Sequence, residues 1–235
     1  MSSCTMDRSH RAGLILAVAM LALAAVACGS DDDRGRVSGS GVVVSESRDV
    51  EEFDEIVVSD FGQVVVEVTG AETLEVEADD NLLPLLTSSV SDGRLELGVR
   101  SNTRLDPSSD VVYRVTAADL RALTVLGSGS ASASGIDTAE LTASIAGAGS
   151  MKLDGRAQAI ELRIPGAGNI DAAKLVASVG SVHINGAGDV TVNATDTLDI
   201  AINGSGNVSY LGTPVLEQSI NGSGKISGIE ARSSG

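Results

Sequence analysis

Aromatic side chains are almost missing from this chain. Its 235 residues hold no Trp, two Phe (Phe53 and Phe61) and two Tyr (Tyr113 and Tyr210). A bulky globular interior cannot be built from these, and the usual platform for stacking a sugar ring is scarce as well. Positive charge is also short, with 16 Lys and Arg against 32 Asp and Glu and a net charge of −16. Nucleic-acid binding therefore has no electrostatic basis, and anionic surfaces would be repelled. Cysteine occurs twice, at Cys4 and Cys28, and proline four times. What is abundant is Val, Ile, Leu, Ala and 27 glycines, a composition suited to thin, regular β layers.

Both cysteines lie at the N-terminus, in a segment with the pattern of an export signal. Arg8, His10 and Arg11 form a basic start, and residues 14–27 form an apolar run too short for a stable transmembrane helix. The run ends in Leu23-Ala24-Ala25-Val26-Ala27-Cys28-Gly29, which resembles a bacterial lipobox, except that Ala25 stands where Leu is usual. Cleavage before Cys28 would remove Cys4 and leave Cys28 as the lipidated N-terminus, so neither a disulfide nor a cysteine metal site is expected. The lipid would hold the protein to a membrane without spanning it. Gly29, rather than Asp, after the cysteine resembles lipoproteins sent to an outer membrane if the source is Gram-negative. Residues 28–41, including Ser30-Asp31-Asp32-Asp33, read as anchor and flexible tether, with an r.m.s. reach of roughly 19 Å for its last 12 residues.

Residues 42–119 read as short strands. Apolar residues alternate at Val64, Val66 and Val68, at Leu74, Val76 and Ala78, at Leu95, Leu97 and Val99, and at Val111, Tyr113 and Val115. Gly70-Ala71 and Asp92-Gly93 mark turns, and residues 81–86 suggest a helical turn that Pro84 keeps short.

Residues 120–230 carry a repeat, followed by a tail at 231–235. Six Gly-x-Gly turns begin at Gly127, Gly147, Gly166, Gly186, Gly204 and Gly222, at steps of 18 to 20 residues. Two residues before each turn stand Val125, Ile145, Ile164, Ile184, Ile202 and Ile220. Two residues after it stand Ala131, Met151, Ile170, Val190, Val208 and Ile226. One copy cannot bury such a face alone, whereas stacked copies form continuous aliphatic ladders about 4.8 Å apart. The expected fold is all-β: a single-stranded β-helix, or solenoid, with about six coils and Gly-x-Gly corners. Its N-terminal end is capped by the irregular strands, and right-handed winding is favoured by the crossover rule. The corner glycines are expected to allow a sharply turned backbone, often with positive φ, where a side chain would clash. Asn185, Asn203 and Asn221 are expected to form an amide ladder, and Asn169, Asp189 and Asn207 to serve the turns.

These Ile-Asn-Gly-Ser-Gly units, preceded by Phe53-Asp54-Glu55-Ile56-Val57-Val58, resemble the head GIN domain family of bacterial envelope proteins, over roughly residues 45–230. The resemblance implies a β-helical fold and an adhesive role, and brings no catalytic residue. Gly-Ala-Gly replaces Gly-Ser-Gly in three copies, and Leu126, Ala146 and Pro165 stand where the later copies have Asn.

Other chemistry is weakly supported. His183 is expected to point outward in a column with Thr124, Ser144, Arg163, Ala201 and Ser219, without a triad. No turn continues as Gly-x-Gly-x-x-Gly, which argues against a dinucleotide site. The calcium-roll pattern is approached only at Gly186-Ala187-Gly188-Asp189, with its Asp one place early. A polysaccharide-processing enzyme would need acids and bases gathered on one face. Glu161, Arg163, Asp171, Lys174, Asp196 and Asp199 are expected at differing positions in their coils. Neither a catalytic set, a metal nor a cofactor is therefore expected. The leading reading is a non-enzymatic, lipid-anchored envelope module for adhesion, binding or scaffolding, with a polysaccharide or an envelope protein as partner. The alternatives are a glycan-processing enzyme and an envelope-stress component acting through a protein partner.

Overall fold

A computed structural model describes residues 36–229. The signal at 1–27, Cys28, the tether up to residue 35, the last residue of the repeat and the tail at 231–235 lie outside the described residues.

The first third forms β1 (Arg36–Ser38), β2 (Val43–Arg48), β3 (Glu55–Val58), β4 (Gln63–Val68), β5 (Thr73–Asp79), β6 (Leu86–Ser91), β7 (Arg94–Val99), β8 (Arg104–Asp106) and β9 (Val112–Ala117). The alternating apolar residues face one interior: Val64, Val66, Leu74, Val76, Leu95, Leu97, Tyr113 and Val115 are all buried. Pro84 lies within a single 3-10 turn, Leu83–Leu85. At Asp92-Gly93 both residues have positive φ, 53° and 76°, which matches the right-handed twist of the β6–β7 hairpin.

The remaining strands are β10 (Ala122–Val125), β11 (Ser130–Ile145), β12 (Ser150–Ile164), β13 (Asn169–Ile184), β14 (Asp189–Ile202), β15 (Asn207–Leu211), β16 (Val215–Ile220) and β17 (Lys225–Gly228). Each of β11 to β14 runs from one Gly-x-Gly corner to the next and pairs in parallel with its neighbours. The result is a β-solenoid of about five turns. The ladders stand in the expected register: Val125 opposite Ile145, Ile164 opposite Ile184, then Ile202 and Ile220. Away from the corners the long strands bend at register shifts between Ala133 and Ile136, Lys152 and Asp154, and Ala172 and Val176. Bulges therefore turn the coil where no Gly-x-Gly exists.

Positive φ is not the reason for most of the corner glycines. Of the twelve, Gly222 alone has a φ in the left-handed region, at 153°. The cause is the approach of the neighbouring coil. A Cβ on Gly127, Gly147, Gly166, Gly186 or Gly204 would lie under 3.0 Å from the backbone of the coil before it. Stacking at β-sheet spacing thus leaves no room for a methyl group.

The N-terminal strands do more than cap the stack. β3 lies between β7 and β10, all parallel, with Val58 opposite both Leu97 and Val125. β4 likewise lies between β9 and β11. Residues 55–68 therefore form a coil inserted between the level of β7 and β9 and the first glycine-cornered level. Stacking order departs from chain order here, and no Gly-x-Gly marks it. Antiparallel strands then close this end, β6 against β7, and β5 and β2 beyond β9. Residues 36–41, which composition assigns to the tether, are also held in the fold. β1 pairs with β8, and the Gly41 N–H donates to Asp79 Oδ1 at 2.9 Å.

Candidate functional site

Side chains on the outer side of the strands form columns, because consecutive coils stack in register. Five residues before the first glycine of each corner, Thr142, Glu161, Ser181, Asp199 and Glu217 share one column. Next to it stand Ser144, Arg163, His183, Ala201 and Ser219. Glu161 and Asp199 thus occupy one position, two coils apart, contrary to the expectation that the acids are scattered. The common offset from the glycines is visible in the sequence, and Ser181 between the two acids disguises it.

Arg163 pairs with Glu161 at 2.6 Å, and Ser181 Oγ lies 3.1 Å from His183 Nε2. Glu161 stands 4.0 Å from that same nitrogen. Serine and acid therefore meet one ring nitrogen, whereas a nucleophilic relay needs them on opposite nitrogens. Asp171 lies elsewhere, opposite Lys152 and Thr191, and Lys174 opposite Asp154. Asp196 accepts a hydrogen bond from Thr195 Oγ1 at 3.0 Å. Four of the six candidate groups form two sets: Glu161 pairs with Arg163, to which His183 is added, and Asp171 and Lys174 line one shallow pocket with Lys152 and Asp154. Among the described residues no group of three or more His, Cys, Asp and Glu is placed to hold a metal ion. Cys28 lies outside the described residues.

Amide ladders run along the corners. Asn203 Nδ2 donates to Asn185 Oδ1 at 2.9 Å, as expected, but the third member of that column, Asn221, makes no side-chain hydrogen bond among the described residues. A second ladder forms from residues expected to serve the turns: Asn169 Oδ1 accepts from Asp189 N at 3.0 Å, and Asp189 Oδ1 accepts from Asn207 Nδ2 at 2.8 Å. These bonds join successive coils and make the corner edge a fixed polar surface.

Among the described residues two titrating groups are clearly perturbed, both in the N-terminal third. Tyr113 is buried at the level of β9, and desolvation pushes its pKa up to about 12, with Arg48 opposing and Asp60 adding to the shift. Asp79, at the end of β5, is fully enclosed. Burial alone would raise its pKa, but N–H groups of Ser108, Ser109 and Gly41 and the Ser109 hydroxyl outweigh that and hold it below 3.8. Asp79 therefore remains a carboxylate and ties the N-terminal segment to the loop before β9. Its role was not apparent from the sequence, where it is one of 32 acidic residues.

Solved structures with the same fold include a putative adhesin from Bacteroides fragilis NCTC 9343, at 25% identity and a TM-score of 0.69 over 82% of this chain and 100% of that one. A putative adhesin from Parabacteroides distasonis ATCC 8503 matches at 22% identity and a TM-score of 0.56, over 83% of this chain and 100% of that one. A putative lipid binding protein from the same strain matches at 23% identity and a TM-score of 0.51, over 83% and 99%. No curated protein matches the chain. The family model described as "putative auto-transporter adhesin, head GIN domain" matches residues 52–214, from just before the inserted coil to the start of the last corner's strand, and the chain belongs to that family.

Proposed function

We propose that this protein is a non-enzymatic, lipid-anchored module of the cell envelope that adheres to or scaffolds a partner through the outer surface of its solenoid. The observation that carries the reading is the continuous stack, in which polar side chains recur in fixed columns along an extended surface. Such a surface suits recognition of a long or repeating partner. The adhesin names of the family and of its structural neighbours support an extracellular or cell-surface role. Lipidation at Cys28 rests on the sequence around it. A Cys28→Ser chain should move from the membrane fraction to the soluble extracytoplasmic fraction, and a variant that stays with the membrane contradicts the anchor.

The pairing of Glu161 and Arg163 beside His183, with Asp199 in the Glu161 column, favours a second reading as a glycan-processing enzyme. The two readings separate when the protein is incubated with bacterial and host polysaccharides. The adhesive reading expects saturable binding without new reducing or unsaturated ends; new ends that vanish in Glu161→Gln would establish the enzyme.

A further inference from the structure

The narrow glycine corners stop at the N-terminal levels, and a notch opens there. Corner residues 126–129 stack on residues 59–62, and beyond these the same edge is occupied by the wider loop 107–111. Ser128 N donates to Asp60 O at 3.0 Å, Ser130 N to Gly62 O at 2.9 Å, and Gln63 N to Val111 O at 2.8 Å. Three successive levels of the stack thus form a groove of about 670 Å³, within the ordinary size range of small-molecule sites.

The lining is unusual for this chain. Phe61, one of four aromatic residues, stands in the groove half-buried, while Phe53 and Tyr113 are buried in the core. Gln63, Asp110, Ser128 and Ser130 line the groove as well, and among the described residues their side chains make no hydrogen bond or ion pair. Their backbone amides are largely committed to the stack, so the side-chain donors and acceptors remain free for a ligand. The loop wall is held from behind. Asp79 accepts from Ser108 N at 2.9 Å and from Ser109 Oγ at 3.2 Å, and Ser108 Oγ donates to Gly39 O at 2.9 Å. A site held by a buried carboxylate loses little conformational freedom on binding.

We infer that this notch is a binding site for a neutral sugar residue of a glycan, an assignment that rests on the adhesive reading above and gives it a place and a ligand class. A pyranose has one face of C–H groups and a rim of hydroxyls. The Phe61 ring supplies an apolar face for the first, and Gln63, Ser128, Ser130 and Asp110 supply mixed donors and acceptors for the second. Asp110 is the one charged residue in the lining, Lys152 belongs to the adjoining groove that shares Gln63 and Ser130, and the chain as a whole carries −16. A uronate or sulfated sugar would therefore be repelled. Asp79 is a positioning residue for this site.

The test is binding of the full-length protein in detergent to immobilised neutral glycans and to uronate-containing glycans. Phe61→Ala, Gln63→Ala and Arg156→Ala are compared, the last on a different face of the stack. Saturable binding to neutral glycans is expected, weakened about ten-fold by Phe61→Ala and by Gln63→Ala and unchanged by Arg156→Ala. Gln63 is exposed, so its variant keeps the test valid if removal of the half-buried ring disturbs folding. Neutral-glycan binding that survives both groove variants overturns the assignment to this notch and leaves the adhesive reading standing. Preference for uronates, or binding of a protein partner that the groove variants weaken, overturns the sugar class. Failure to bind any glycan overturns the inference, whereas the wider reading falls only if immobilised envelope and host proteins are not bound either.

Discussion

Two regions of the stack are held together in different ways. From β10 onward each coil repeats the one before it, and order comes from identical groups in register: aliphatic ladders inside, amide ladders at the corners, and glycines where coils meet. In the N-terminal third no group repeats, and single side chains hold irregular backbone. Arg48 donates to Leu86 O and Leu83 O at 2.9 Å each, Arg100 Nη2 donates to Pro84 O at 2.8 Å, and Asp79 binds three N–H groups. A repeat shares its specification over many weak, equivalent positions, whereas a cap concentrates it in a few polar residues. Substitutions should therefore act differently in the two regions.

The largest effect is expected at the glycine corners. Gly186→Ala places a methyl group under 3.0 Å from Gly166 O, so coils must separate, at a cost of about 3 kcal/mol. Gly70→Ala in the cap meets open space, so only its φ of +87° imposes a cost, of about 1 kcal/mol. Equilibrium urea unfolding of the two variants measures the difference, and equal losses would mean that the corners do not depend on close coil contact.

A contrast of similar size is expected within the ladders. Ile200 is fully buried, and Ile200→Ala should cost about 3 kcal/mol. Ile220, in the last described coil, is 43% exposed, and its replacement by Ala should cost about 1 kcal/mol. Thermal melting of both variants checks whether stability falls toward that end of the stack.

The smallest effect is a local one with pH. The folded pKa of Asp79 lies below 3.8, so its contribution is fully present above that value and is lost as pH falls through the lower, folded pKa. Amide exchange at Gly41, Ser108 and Ser109 should therefore stay slow at pH 5 and accelerate only in stronger acid. In Asp79→Asn the three amides should exchange faster already at pH 7, while those of β13 remain protected.

How much of this was legible in sequence follows the same division. Periodicity showed the coils from Gly127 to Gly222, their ladders and the Asn185–Asn203 contact, because repetition writes the same constraint many times. The alternating strands near Val64, Val76, Leu95 and Tyr113 were also readable. Their arrangement was not: β3 and β4 enter the stack out of chain order, through Asp60-Phe61-Gly62 instead of Gly-x-Gly. The need for glycine at the corners is legible but its cause is not, since φ is a property of one residue and the carbonyl that excludes a side chain belongs to the coil before. The clamp at Asp79 depends on residues 29 and 38 positions away, and no local pattern announces such a pairing.

The central claim is that residues 55–68 form a coil between the level of β7 and β9 and the first glycine-cornered level. Val57 lies opposite both Glu96 and Thr124, whereas Glu96 and Thr124 stand two levels apart, on the order of 10 Å. With Cys4 and Cys28 replaced by Ser, the pairs Val57→Cys with Glu96→Cys and Val57→Cys with Thr124→Cys should each form a disulfide under mild oxidation, since adjacent strands bring Cα atoms within reach. The pair Glu96→Cys with Thr124→Cys should stay reduced. Efficient cross-linking of that third pair, with failure of Val57→Cys with Thr124→Cys, would place the coils in chain order and contradict the account.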